Sequence, residues 1–178
     1  MRTITRVALA LAGSAALIGV TTVPALAATT ADTPVTVTVT AGVLAVTVPT
    51  GAALSTGVPG ADSTVSLTAT EVTDERAGTT NWTATVSLPA LTGDAVGSTE
   101  TIPTTGATYL AGTATLTGSP TLAAPTLKTD LSTAAQTSQA TTAVSGNNSA
   151  SWTATLTVPI PAQVLADTYS GILTQSVS

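Results

Sequence analysis

Asn81-Trp82-Thr83-Ala84-Thr85-Val86-Ser87-Leu88-Pro89 and Ser151-Trp152-Thr153-Ala154-Thr155-Leu156-Thr157-Val158-Pro159 are two copies of one pattern, 70 residues apart. In the first, Trp82, Ala84, Val86 and Leu88 alternate with Thr83, Thr85 and Ser87; in the second, Trp152, Ala154, Leu156 and Val158 alternate with threonines. Strict period-two alternation is the signature of a β-strand with one buried face. The closing proline, which has no N–H to donate, ends each ladder. The two copies hold the only tryptophans of the chain. An indole buries roughly 150–250 Å² and wants a partner for its N–H. Trp82 and Trp152, in the same phase of similar strands, are therefore expected at the centre of a core otherwise made of Val, Leu and Ala. The competing use is a stacking platform for a sugar or peptide, to which Tyr109 and Tyr169, the only other aromatics, would contribute.

Working outward, the same alphabet recurs. The chain has 42 Thr among 178 residues, and β-branched side chains suit a pleated surface better than a helix. Val35, Val37 and Val39 alternate with Thr36, Thr38 and Thr40. Beyond Ala41-Gly42 the apolar positions become Leu44, Val46 and Val48, so the phase shifts by one residue, as a glycine bulge at Gly42, or a very tight turn between two strands, would produce. Pro49 to Ser63 reads as a connection. Val65 and Leu67 open a strand that runs through Val72 toward Asp74-Glu75-Arg76, with Gly78 in the following turn. Ile102 with Pro103 suggests a short edge segment, and Thr108–Thr117 a strand broken by Gly112. From Gly118 to Asn148 the sequence is rich in Ala, Thr, Ser and Gln, and Leu131–Ala140 has only a poor helical stripe. Pro161–Ala166 reads as a turn, and Tyr169, Leu173 and Val177 mark a final strand.

These segments predict an all-β fold: an immunoglobulin-like β-sandwich or partly closed barrel of about seven to nine strands, with a long central low-complexity loop. The expected organisation is a signal peptide over 1–27, a flexible lead over 28–34, and a single β-sandwich domain over 35–178 with a mobile insertion near 118–149.

The leader reading rests on Arg2 and Arg6, an apolar stretch from Val7 to Val23, and Ala25-Leu26-Ala27 as a small-x-small cleavage site. A spanning helix wants about 20 predominantly apolar residues, and this stretch is shorter and interrupted by Gly13, Ser14, Gly19, Thr21 and Thr22. No integral membrane segment is expected in the mature chain. Without the leader, Arg76 and Lys128 stand against nine acidic residues. That balance argues against nucleic acid as a partner, because phosphates need Lys and Arg to neutralise them. The chain has no cysteine, so packing and backbone pairing must hold it together without disulfides.

Catalytic material is scarce. His and Cys are absent, which removes Ser-His-acid and Cys-His nucleophilic sites and the usual zinc ligands. No phosphate-loop or dinucleotide pattern follows a strand. Lys128 lies in the Ala/Thr-rich stretch, where solvent exposure is expected. The acidic run Glu71, Asp74, Glu75 beside Arg76 raises paired-carboxylate chemistry, but one short run supplies no cleft. A structural ion pair between Asp74 and Arg76, sharing one strand face, is the expected use. Calcium would require oxygen ligands on a loop of recognisable form, which is missing. Asn81-Trp82-Thr83 and Asn147-Asn148-Ser149 fit the glycan-acceptor pattern, which is short enough to arise by chance. No cofactor is expected, and none of these residues is assigned a catalytic role.

Val72-Thr73-Asp74-Glu75-Arg76 followed by Asn81-Trp82-Thr83-Ala84, the distal Trp152-Thr153-Ala154 and the closing Thr168-Tyr169-Ser170-Gly171 together resemble the WxL-type surface domains of Gram-positive bacteria, and more closely short secreted actinobacterial relatives. The resemblance implies a β-sandwich, export, and non-covalent attachment to the cell wall through peptidoglycan; another surface protein is the other partner expected. Trp82 and Trp152 match the motif tryptophans, Asp74 and Arg76 the acidic and basic positions before the first, and Tyr169 lies in the closing match. Ala84 and Ala154 stand where the motif has Leu. The expected function is that of a secreted, non-enzymatic surface or wall-associated domain. A structural or adhesive subunit assembling through edge strands is the alternative, and a carbohydrate-active enzyme a remote one. Mass spectrometry of the exported chain is expected to find its N-terminus at Ala28; an intact leader on the released protein would contradict the signal-peptide reading.

Overall fold

Threonine and valine alternation produces strands wherever a neighbouring strand is available to pair, and only there. The computed structural model describes residues 33–96 and 99–178. The expected signal peptide and most of the lead lie outside the described residues. Of a first unit ending at Val37, residues 33–37 are described and form no strand. The second unit, Thr38–Ser178, holds twelve strands among its described residues: β1 (Leu44–Thr47), β2 (Asp62–Asp74), β3 (Thr83–Ser87), β4 (Leu91–Gly93), β5 (Thr101–Ile102), β6 (Thr108–Ala111), β7 (Thr115–Thr117), β8 (Thr121–Leu122), β9 (Gln136–Ala143), β10 (Asn148–Pro159), β11 (Tyr169–Ser170) and β12 (Thr174–Val177).

The fold is all-β, with several antiparallel sheets. One sheet has the order β1-β2-β10-β6, with β7 also paired to β10; a second is β12-β3-β9-β8; a short third is β11-β4-β5. The two repeat strands thus belong to different sheets, β3 to one and β10 to the other. Trp82, Ala84, Val86 and Leu88 from the first copy and Trp152, Ala154, Leu156 and Val158 from the second are all buried in one hydrophobic core, with Leu67, Val72, Tyr109 and Leu131. Truncating a buried Trp to Ala ordinarily costs about 3–5 kcal/mol, so these two residues carry a large share of the packing.

β2 and β10 pair along their whole lengths, with one irregularity. Trp152 faces Thr70, but Ala154 faces Leu67, so Thr68 and Ala69 together oppose Thr153. Ala69 takes the left-handed conformation, φ 60°, which lets the extra residue bulge out. The effect on phase is decisive. Ser63 and Leu67 are buried on one side of the bulge, and Thr70, Val72 and Asp74 on the other, so odd positions face inward before it and even positions after it. Without the bulge Asp74 would face solvent.

Three sequence expectations are corrected. Val35, Val37 and Val39 form no strand and are 90%, 87% and 76% exposed. β1 pairs with β2 only from Leu44 opposite Asp74 to Thr47 opposite Glu71. β2 ends at Asp74, so the residues ahead of Gly42 have run beyond the strand that could pair with them. Gly42 marks that limit: its N–H donates to the Glu75 carbonyl at 2.8 Å, and Glu75 N–H returns to Val43 O at 2.9 Å. The span 118–149, expected as a long mobile loop or insertion, contains β8, β9 and the start of β10. Strand β9 was hidden from hydrophobic periodicity because its buried side chains are Ser138, Gln139 and Thr141. They are accommodated by bonding to neighbouring backbone: Ser138 Oγ to Ala84 O at 3.1 Å, Thr141 Oγ1 to Trp82 O at 3.2 Å, and Gln139 Nε2 to Gly112 O at 3.1 Å. The expected final strand is also two strands in two sheets, β11 beside β4 and β12 beside β3.

A Cβ on Gly42 would come within 2.7 Å of Glu75 Cβ and 2.9 Å of its carbonyl oxygen, and the backbone atom cannot yield. Gly42→Ala is expected to destabilise by about 1–3 kcal/mol through overpacking. The check is a urea titration, in which the midpoint falls and the slope is unchanged.

Candidate functional site

Asp74, Arg76 and Trp82 are brought together by a residue that the sequence reading passed over. The β2 bulge turns Asp74 inward, where it is 3% exposed. Arg76 lies two residues beyond the end of β2, in the turn before Trp82, and folds back onto it. Its Nε donates to Asp74 Oδ1 at 2.9 Å, its Nη2 to Oδ2 at 3.1 Å, and its backbone N–H to Oδ1 at 3.1 Å. The pair is two-pronged, the strongest carboxylate–guanidinium geometry. The ion pair expected from sequence is therefore present, but a turn closes it, where a shared strand face was expected. Arg76 Nη2 also donates to Thr80 O at 3.0 Å, tying down the connection to the first repeat.

Asn148, at the start of β10, completes the link. Its Nδ2 donates to Asp74 Oδ2 at 3.3 Å and to Gly146 O at 3.1 Å, while its Oδ1 accepts Trp82 Nε1–H at 3.1 Å. The chain of bonds Arg76–Asp74–Asn148–Trp82 runs from the surface into the core and joins both large sheets. The Trp82 backbone is fixed from its other side: its N–H donates to Thr141 Oγ1 at 2.8 Å, and Thr141 N–H donates to Trp82 O at 3.0 Å. The only sequence signal at Asn148 was the Asn147-Asn148-Ser149 glycan pattern, which points to a different use of the neighbouring side chain.

Trp152 belongs to a second, separate network. Its Nε1–H donates to the Tyr109 hydroxyl at 3.4 Å, and that hydroxyl donates to Gln175 Oε1 at 3.0 Å. Tyr109 is fully buried, and burial pushes its phenol above the ordinary 10.0, opposed by the Trp152 bond. The Tyr109 backbone exchanges bonds with Lys128, N–H to O at 2.9 Å and the reverse at 2.8 Å. Lys128 is thus held by its main chain, with its ammonium on Thr126 Oγ1. Neither indole is available as a stacking platform, since Trp82 and Trp152 are 1% and 4% exposed.

Tyr169 joins neither network. It sits half-buried on β11, its hydroxyl donating to Leu165 O at 3.0 Å. Partial desolvation, then the charges of Glu100 and Asp167, raise its phenol above the ordinary value. Tyr169 lines a cavity of about 880 Å³ whose walls come from the connection after β1, the first half of β2, the last part of β10 and the segment 164–173. The lining is dominated by Val65, Leu67, Leu91, Leu156, Val158 and Ile160. Nothing in the local sequence announced it, because its walls are contributed by segments far apart in the chain. Among the described residues no three Asp or Glu side chains gather to hold a metal ion. Chemically, then, the site offers two bonded structural networks and one apolar cleft with a single phenol at its wall.

The Asp74 carboxyl is held below its ordinary 3.8, first by the Arg76 side-chain bonds, with burial opposing and the Arg76 backbone and Asn148 bonds assisting. A carboxyl with a lowered folded pKa stabilises the fold above its unfolded value and loses that contribution as the pH falls through the folded value. The stability difference between wild type and Asp74→Asn is expected to be constant near neutrality and to shrink below pH 3.8. Arg76→Ala, which strands the buried carboxylate, should cost about 3 kcal/mol at neutral pH. Chemical denaturation across a pH series checks both; parallel wild-type and Asp74→Asn curves would contradict the assignment.

The chain matches no protein-family model, no curated protein and no solved structure, so its geometry has to carry the functional reading.

Proposed function

We propose that the chain is an exported, non-enzymatic surface domain of immunoglobulin-like sandwich architecture, a diverged relative of the WxL-type domains, held non-covalently at the cell wall. The observation that carries this reading is the single bonded unit made by Arg76, Asp74, Asn148 and Trp82. Of the four acidic, basic and aromatic positions on which the resemblance rests, three meet in space and clamp the two large sheets, which supports the reading. Trp152, the fourth, anchors the other repeat strand to Tyr109. Those side chains are thereby committed to stability, which fits a domain that binds or builds and does not catalyse.

The architecture supports the same reading. Two sheets supply one core from strands whose other faces carry threonine and serine, which supports a two-layer sandwich. No helix among the described residues is long and apolar enough to cross a membrane. An acidic chain approaches anionic wall polymers poorly unless a cation mediates; peptidoglycan is the wall component that the resemblance implies.

A structural subunit assembling through strand edges is the second reading. It is favoured by one observation: among the described residues β1, β12 and β8, at the ends of the two large sheets, each form a ladder with a single neighbour. Co-sedimentation with purified sacculi, over a range of salt and divalent-cation concentrations, tests wall attachment. The protein is expected in the pellet, and recovery only in the supernatant under every condition overturns it.

A further inference from the structure

The cleft of about 880 Å³ has walls fixed by hydrogen bonds. One wall is the connection after β1, which runs alongside β2 and is tied to it at both ends. Thr47 stands opposite Glu71 in the ladder, and Ser55 N–H donates to Thr64 O at 3.0 Å. Side chains pin the second of these ends as well: Ser63 Oγ donates to Ser55 O at 2.6 Å, and Thr64 N–H to Ser55 Oγ at 3.1 Å. Another wall, the segment 164–173, is held by Asp94 N–H to Thr168 O at 2.8 Å and by the pairing of Tyr169 and Ser170 with β4. Leu67, Leu91, Leu156 and Val158, all buried in the core, line the space, whereas Leu165 and Ile172 line it while staying 61% and 75% exposed. Its size falls within the roughly 300–1,000 Å³ of small-molecule sites, which are likewise mostly apolar and largely preformed.

The charge around the cleft is of one sign. Asp167 is the only Asp, Glu, Lys or Arg among the lining residues. Its Oδ1 accepts Thr168 N–H at 2.7 Å and its Oδ2 accepts Ala95 N–H at 3.2 Å, backbone partners that orient the carboxylate without cancelling its charge. Asp94 stands one hydrogen bond behind the wall: Ser170, a lining residue, donates its hydroxyl to Asp94 Oδ1 at 2.6 Å. Glu100, whose carbonyl accepts Gly93 N–H at 3.0 Å, acts together with Asp167 on the Tyr169 phenol, so its charge also reaches the cleft. The two basic residues beyond the leader are engaged elsewhere, Arg76 on Asp74 and Lys128 on Thr126. An apolar bed with carboxylates about it and no cation on its wall repels an anionic head group and attracts a positive one.

We propose that the cleft binds a cationic amphiphile, a small molecule with one alkyl chain and an ammonium head group, the chain lying along Leu67, Leu156 and Val158 and the head beside Asp167. An extended polypeptide fits less well, because the connection 48–55 already occupies that side of β2 and leaves no ladder edge to add to. An alkyl chain needs no hydrogen bonds from the wall. Its burial supplies affinity, up to about fourfold for each methylene taken out of water. The carboxylates supply selectivity for the head. Because both walls are already tied in place, little ordering opposes binding. This activity goes beyond wall attachment and does not rest on it: no wall polymer takes part, so either can fail while the other holds.

Isothermal titration of the exported protein with dodecylammonium, dodecanol and dodecanoate, each kept below the concentration at which it aggregates, tests the proposal. Dodecylammonium is expected to bind one to one, about tenfold more tightly than dodecanol at low ionic strength, with dodecanoate the weakest of the three. Salt should narrow the gap between the first two by screening the head group. Saturating dodecylammonium should raise the melting temperature. Asp167→Asn is expected to weaken dodecylammonium about fivefold and to leave dodecanol unchanged, a split that a merely structural role of Asp167 does not produce. Ala53→Trp, at an exposed lining position, should block dodecylammonium and dodecanol alike with unchanged circular dichroism, and Ile172→Gln at the exposed rim should weaken both. The proposal is overturned by the absence of saturable binding, by equal affinity for the three head groups or a preference for dodecanol or dodecanoate, and by a titration that melts the fold. Undiminished binding in Ala53→Trp overturns it too, as does an Asp167→Asn variant that loses dodecanol as much as dodecylammonium. Self-association in sedimentation velocity that Ala53→Trp abolishes would assign the cleft to a second copy of the chain, and likewise overturns it.

Discussion

The antiparallel ladder between Asp62–Asp74 and Asn148–Pro159 is the constraint on which the remaining structure depends. β1 hangs on one of these strands and β6 and β7 on the other. Its bulge at Thr68–Ala69 reverses which residues of β2 face inward. A period-two pattern tolerates no half-measures: one extra residue moves every later side chain to the opposite face. Leu67 before the bulge and Val72 after it both reach the core, and the same reversal carries Asp74 in with them. A carboxylate in that position is costly unless it is paired, and the Arg76 turn and Asn148 supply the pairing. The bulge, the turn and the first residue of β10 are thus parts of one local solution.

A chain without cysteine, phenylalanine or histidine has few ways to make a core specific. Valine, leucine and alanine supply area but little directional preference. Here direction comes from polar side chains placed at inward positions of central strands. Ser138, Thr141 and Gln139 bond to the backbone of neighbouring segments, and each indole N–H finds a side-chain oxygen. Buried hydrogen bonds of this sort add only about 0.5–1.5 kcal/mol each when made but cost more when left unmade. They consequently discriminate against wrong registers more than they deepen the correct one, which matters in a Thr- and Val-rich sequence where slipped strands would otherwise look alike.

The polar networks and the cleft divide the molecule functionally. At one end of β2 the ionisable and aromatic groups are consumed in holding sheets together. Along its first half the strand, with the connection 48–55 beside it, lines an apolar space. A domain that must be stable without disulfides benefits from keeping its polar clamp and its apolar space on separate stretches of the same strand.

By itself, the sequence determined the all-β class, the two tryptophan strands, the inward faces of both, and the pairing of Asp74 with Arg76, because each of these follows from side-chain alternation or from proximity along the chain. It did not determine β9, whose inward residues are polar and so carry no hydrophobic period. Nor did it reveal that Val35–Val39 stays unpaired despite a flawless strand pattern, because pairing requires a neighbour and β2 ends at Asp74. Asn148 as the link between Asp74 and Trp82, and the cleft between β2, β10 and the 164–173 segment, arise only when segments far apart in sequence are set side by side. Local periodicity says which face of a strand is apolar; which strand it meets, and whether it meets one at all, is a long-range property that tertiary structure alone decides.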